Sequence, residues 1–407
     1  MSNRRTLNLL SSGAALALVM ALACGCSGRG GSDAGNAAAP AKVATGAPAP
    51  GSNALAAIPL PTPTIFPPAA ANSTAAGASV QPVNVDTVDL PPAAQAINSA
   101  ALPAPGGSAR AQAFDPALLR LEVLLDRAGF SPGAIDGRMG SNLQHAIEAF
   151  AQAHGQTSDG SVDPALWTSL VGADPGPAVQ AYRITADDEA GPFIGTPPKD
   201  YRALAQLPAL SYSTPEQELA ERFHMSPVLL EALNPHADYT QAGTLLTVAA
   251  PRAGPRDFEA TRLEVDKSNN QVRVYDAAGQ LVAAYPATVG SAERPAPTGE
   301  FQVAAVAPHP AYFYDPTRLT FTPQGATGKL RIAPGPNNPV GSTWIALTIP
   351  TYGIHGAPDA TEIGKQQSHG CVRLTNWDAA ELGKAVKKGV PVDFVGTEHT
   401  PPHSRRT

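Results

Sequence analysis

Three side chains capable of nucleophilic and acid–base chemistry stand close together late in the sequence: His355, His369 and Cys371. Cys371 lies in Ser368-His369-Gly370-Cys371-Val372-Arg373-Leu374, and His355 lies in Ile354-His355-Gly356, sixteen residues before the cysteine. A thiol of ordinary pKa, ~8.5, is mostly protonated near neutral pH, and the thiolate is the nucleophile. A histidine within hydrogen-bond reach can take the proton. His369 shares a face with Cys371 if this run is extended and diverges from it across a turn. His355 needs a neighbouring strand or loop to carry it to the sulfur. On the residues alone either histidine can be the base. Glycines at 356 and 370 let backbone approach a reacting group, and the N–H groups around Gly370 and Cys371 can stabilise an oxyanion. The planar fork of Arg373 suits a substrate carboxylate.

Cys371 is the only one of three cysteines that lies beyond residue 26. His355, His369 and Cys371 are also suitable zinc ligands, but their spacing fits no zinc signature. The nearest carboxylates, Asp359 and Glu362, lie outside the motif. No metal and no cofactor are expected.

The rest of the chain says where such a thiol would work. Arg4 and Arg5 precede a mostly apolar stretch, Leu7 to Leu22, and small residues follow in Ala21-Leu22-Ala23-Cys24-Gly25-Cys26. This pattern predicts an export signal over residues 1–26. The small residues before Cys24 or Cys26 resemble a bacterial lipoprotein box, which implies lipidation at one of the two. The alternative is ordinary cleavage after Ala23. Either way the protein is expected in the periplasm or cell envelope, and Cys371 is expected to be a free thiol there. Charged residues are 15% of the chain and the net charge is −6, so no nucleic-acid partner is indicated. Residues 27–113 are rich in Ala, Pro, Gly and Ser and hold no period, which predicts a disordered tether. As a coil it spans roughly 50 Å, and about 270 Å if drawn into polyproline II.

Three compact segments are expected beyond the tether, a multidomain α+β chain. In residues 114–171, Asp115-Pro116 caps a helix carrying Leu118, Leu121 and Leu125 and ending at Gly129. Ser141-Asn142-Leu143-Gln144 reads as a capping box for a second helix, and Asp163-Pro164 opens a third. Ile135-Asp136-Gly137-x-x-Gly140, Ala146-x-x-Ala149-Phe150 and Asp159-Gly160-x-Val162-Asp163-Pro164-x-x-Trp167 resemble the peptidoglycan-binding-like three-helix domain. Ala151 departs from the Gln usual there, and Phe150 and Trp167 read as core. In residues 205–250, helices start at Thr214-Pro215 and Ser226-Pro227, a strand follows Gly243, and Leu210–Ser213 is the candidate first strand. This small α/β segment resembles a LysM module, which would imply glycan binding; a plain spacer is the alternative.

Residues 256–397 are strand-rich: 263–266 and 272–276 around an Asn269-Asn270 turn, then 281–285, 299–306 and 344–349. One helix is expected over 377–388, and residues 398–407 read as a loose tail. The short strands predict a mainly β, sandwich-like domain. Its His355-Gly356 and Ser368-to-Leu374 motifs resemble the signature of the YkuD-type L,D-transpeptidase catalytic domain. Pro297-Thr298-Gly299-Glu300-Phe301, with one proline shifted, and Asn338-Pro339-Val340-Gly341 also fit. The resemblance implies that Cys371 attacks the bond before the terminal D-alanine of a peptidoglycan tetrapeptide stem. It implies His355 as general base and acid, oriented by the Gly356 carbonyl. His369, Gly370 and Cys371 would line the oxyanion loop, with Ser368 supporting it and Arg373 contacting the stem. Transfer of the acyl group to an amine, its hydrolysis by an L,D-carboxypeptidase, and a non-enzymatic wall anchor remain alternatives at this level.

Overall fold

In the computed structural model of the chain the described residues are 90–102, 114–290, 295–317, 323–326, 328–365 and 370–398. Cys24, Cys26, Ser368 and His369 lie outside them, as do the export signal and most of the expected tether. No helix among the described residues is long and apolar enough to cross a membrane.

The first helix, α1 (Pro92–Asn98), falls inside the expected tether and corrects it. Ala94 and Ile97 are buried, and full burial of an isoleucine contributes roughly 2 kcal/mol. The Asn98 carboxamide brackets Val179, donating to its carbonyl at 3.0 Å and accepting from its N–H at 2.8 Å.

The three-helix segment comprises α2 (Pro116–Ala128), α3 (Ser141–Ala153) and α4 (Pro164–Ala173). Asp115 and Asp163 cap α2 and α4, and Gly129 ends α2 in the left-handed conformation. The capping box expected at Ser141 does not form: Ser141 is already helical and Gly140 holds the cap position. Asn142 is turned to another task, donating to the Ile363 carbonyl at 2.9 Å. Phe150 is core, whereas Trp167 is only half-buried, with the Arg120 guanidinium 5.6 Å from its ring.

A βααβ module follows, built from β1 (Val179–Arg183), α7 (Pro215–Arg222), α8 (Pro227–Leu233) and β2 (Leu245–Ala249), with α5 (Ala186–Ala190) and α6 (Tyr201–Leu204) inserted after the first strand. β1 and β2 pair antiparallel, Val179 opposite Ala249. The first strand is therefore Val179–Arg183, not Leu210–Ser213. The Leu210 backbone instead bonds to Pro334 and Asn337, at 2.8 and 3.0 Å.

The C-terminal domain contains β3 (Arg262–Asp266), β4 (Gln271–Tyr275), β5 (Leu281–Pro286), β6 (Thr288–Val289), β7 (Gly299–Pro308), β8 (Tyr312–Tyr314), β9 (Leu330–Ile332), β10 (Thr343–Leu347), β11 (Gly353–His355), β12 (Val372–Arg373), α9 (Asn376–Ala385) and β13 (Pro391–Val395). Nine strands form one sheet in the order β5-β4-β3-β13-β7-β10-β11-β12-β6. The sheet folds over one core, shared by Leu263, Val265, Val272 and Val274 from one half and Ile345, Leu347, Ile354 and Val372 from the other. The domain is mainly β and sandwich-like, within a mixed α+β chain.

The segments are packed together rather than strung out. Helix α2 buries Leu121, Leu124 and Leu125 in the three-helix core, which also takes in Tyr275, Leu281 and Ala284 of the sheet. Its other side buries Leu119 and Val123 among residues of the βααβ module. Phe130 bridges to Ala284 on the edge strand β5, with Ser131 N–H donating to the Ala284 carbonyl at 2.9 Å. An edge strand's free hydrogen-bonding groups are covered in this way.

Candidate active site

β11 and β12 run parallel, pairing Ile354 with Val372 and His355 with Arg373. Side chains alternate across a strand, and directly paired residues point the same way. Ile354 and Val372, both 0% exposed, face the core. His355 and Arg373 therefore share the opposite face, and Cys371 stands in the bend that leads directly into β12.

His355 is 4% exposed. Its Nδ1 lies 2.6 Å from the Gly356 carbonyl. A carbonyl can only accept, so Nδ1 carries the proton and Nε2 keeps its lone pair. Trp344, opposite His355 on β10, stacks on the ring with centroids 5.3 Å apart and planes 22° apart. Gly353 makes this possible, since a Cβ there would run into the indole. Burial lowers the His355 pKa to about 4; the Gly356 bond opposes this and the Arg373 charge adds to it.

Cys371 is a half-buried free thiol whose Sγ contacts the Thr351 carbonyl at 3.9 Å. Burial pushes its pKa up, against the smaller lowering effects of the Gly353 N–H and Arg373. Gly370 has φ +127, a conformation that L side chains rarely adopt. Thr351 has φ +63, an outlier for a β-branched residue.

Of the residues singled out from sequence, His355 bonds to Gly356 and pairs with Arg373, whose charge also reaches Cys371. Ser368 and His369 fall outside the described residues. Sequence reasoning missed several neighbours. Tyr312 lies within electrostatic range of Cys371 and Arg373, and its hydroxyl pKa is raised, chiefly by burial. Tyr201, brought in by α6, meets Tyr312 and Tyr314 edge-on, with ring centroids 6.2 and 6.1 Å apart. Trp344 was legible as a strand residue, but only the β10–β11 register puts it on the imidazole.

Residues 260–394, which hold this mainly β domain, match the family model described as the YkuD L,D-transpeptidase catalytic domain. Residues 115–170 match the "Putative peptidoglycan binding domain". The chain is similar to the "Putative L,D-transpeptidase YkuD" of Bacillus licheniformis, 27% identical over 178 residues, 44% of this chain and 92% of that protein. A Bacillus subtilis protein of the same name is 39% identical over 74 residues, 18% of this chain and 45% of that protein. A solved L,D-transpeptidase structure from Xylanimonas cellulosilytica is 18% identical, with 72% of this chain and 99% of that chain covered and a TM-score of 0.32.

Proposed function

We propose that the protein is an exported, cysteine-dependent L,D-transpeptidase acting on peptidoglycan. The observation that carries this reading is the parallel pairing of β11, which ends in His355, with β12, which begins directly after Cys371, inside the segment that matches the catalytic family. His355 Nε2, left with its lone pair by the Nδ1 bond to Gly356, takes the Cys371 proton as Sγ attacks the carbonyl carbon before a terminal D-alanine. Backbone N–H groups of the His369–Cys371 loop stabilise the oxyanion, and Ser368 supports that loop. The C–N bond breaks, D-alanine leaves with the proton from His355, and a thioester remains on Cys371. An acceptor amine attacks the thioester, gives its proton to His355, and the thiol is restored. Arg373 binds a carboxylate of the stem.

The acceptor is an amine of a second stem, giving a 3→3 cross-link, or of a protein. Residues 115–170 hold the enzyme to the wall, as their family match suggests, and the βααβ module adds glycan contact as a LysM-like unit. Lipid on Cys24 or Cys26 ties the chain to a membrane. Release of D-alanine from a tetrapeptide muropeptide tests the chemistry. Cys371→Ala is expected to abolish it, and undiminished release would remove Cys371 as nucleophile. Dimeric products indicate transfer, and free tripeptide alone indicates hydrolysis.

A further inference from the structure

Gly356, whose carbonyl fixes the His355 ring, rests against Asn376. A Cβ at Gly356 would overlap the Asn376 carboxamide oxygen, and a Cβ at Gly341 would meet the same oxygen and the Gly356 carbonyl carbon. Asn376 is 2% exposed, and its carboxamide is held at both ends. Oδ1 accepts from Ser342 N–H at 3.0 Å. Nδ2 donates to Glu221 Oε2 at 3.0 Å and to the Pro336 carbonyl at 3.2 Å. Glu221 does not belong to the catalytic domain. It stands on α7 of the βααβ module, and its other oxygen accepts from the Tyr212 hydroxyl at 3.0 Å.

A carboxamide can turn about its last torsion unless both ends are bonded. At Asn376 a hydrogen bond to a side chain of another module supplies part of that restraint. The amide it restrains is the surface on which the Gly356 peptide lies. We propose that Glu221 is a positioning residue for His355, acting through Asn376 on the Gly356 carbonyl that orients the imidazole. The βααβ module is then a working part of the catalytic site as well as a neighbour of it. This rests on the reading of His355 as the base.

The test compares Glu221→Ala, Glu221→Asp and Glu221→Gln in the full-length chain in detergent, with kcat, KM and the melting temperature measured for each. Asp draws the carboxylate back by one methylene and Ala removes it. Gln keeps an oxygen for Asn376 and an amide that can donate to the Tyr212 oxygen. Because small misplacements of a catalytic group cost ten- to a hundred-fold, kcat for D-alanine release should fall about ten-fold or more in the Ala and Asp variants. KM should stay within about two-fold, and the Gln variant should keep near-normal kcat, since hydrogen bonding rather than charge is what it must supply. If the Ala variant does not fold, the Asp and Gln variants decide the matter. An Asp variant with wild-type kcat, or a Gln variant that loses as much as Asp, overturns the inference. A wild type that releases no D-alanine overturns the reading of the reaction instead.

Discussion

Raising the pH should activate the Cys371 thiol late and without a neutral plateau. An ordinary thiol and imidazole differ by ~2 pKa units. Burial brings His355 down to about 4, which widens the gap to ~4.5 units, and burial raises Cys371 besides. At about 1.36 kcal/mol per unit, moving the proton from resting sulfur to resting imidazole costs on the order of 6 kcal/mol before the attraction of the resulting ion pair. The resting pair is therefore neutral thiol and neutral imidazole, and the proton moves only as the sulfur attacks. The assay is the rate of Cys371 alkylation by iodoacetamide against pH, followed by mass spectrometry of the Cys371 peptide. The rate should climb through the range above pH 8 and show no plateau between pH 5 and 7. A plateau in that range, as a thiolate–imidazolium pair would give, refutes the reasoning.

Gly356→Ala forces a methyl into the Asn376 carboxamide and shifts the carbonyl that holds His355. We expect kcat for D-alanine release to fall about ten-fold or more, with little change in overall fold by circular dichroism. Asp378 is buried, accepts from Ser131 Oγ at 3.0 Å, and has its pKa raised by burial to about 8. Its folded pKa lies above its unfolded one, so its contribution is full below about pH 4 and is lost as pH rises through 8. Asp378→Asn should therefore lessen the fall in melting temperature between pH 6 and 9, by about 2–4 °C for each kcal/mol removed. An unchanged fall would show that the carboxyl does not titrate there.

The motif around Cys371 and the strand-rich character of residues 256–397 were legible because both are written locally, in residue types and short spacings. The pairing of His355 with Arg373 was not, since it depends on the parallel register of β11 and β12. Helix α1 escaped notice because its sequence is as rich in Ala and Pro as its surroundings; Ile97 burial and the Asn98–Val179 bonds hold it. The first strand of the βααβ module was sought beside its helices, whereas β1 lies more than thirty residues before α7, across an insertion. On α2 the sequence singles out Leu118, Leu121 and Leu125, but the helix serves two cores, which is why Leu119 and Val123 are buried as well. Asn142, inside the expected capping box, makes a tertiary contact.

The most direct test of the account is the intact mass of the full-length protein after brief incubation with a tetrapeptide muropeptide. The account predicts an adduct of the muropeptide minus D-alanine, mapped to Cys371 and lost on adding an amine acceptor or by slow hydrolysis. Release of D-alanine with no adduct on Cys371, undiminished in Cys371→Ser, would contradict it.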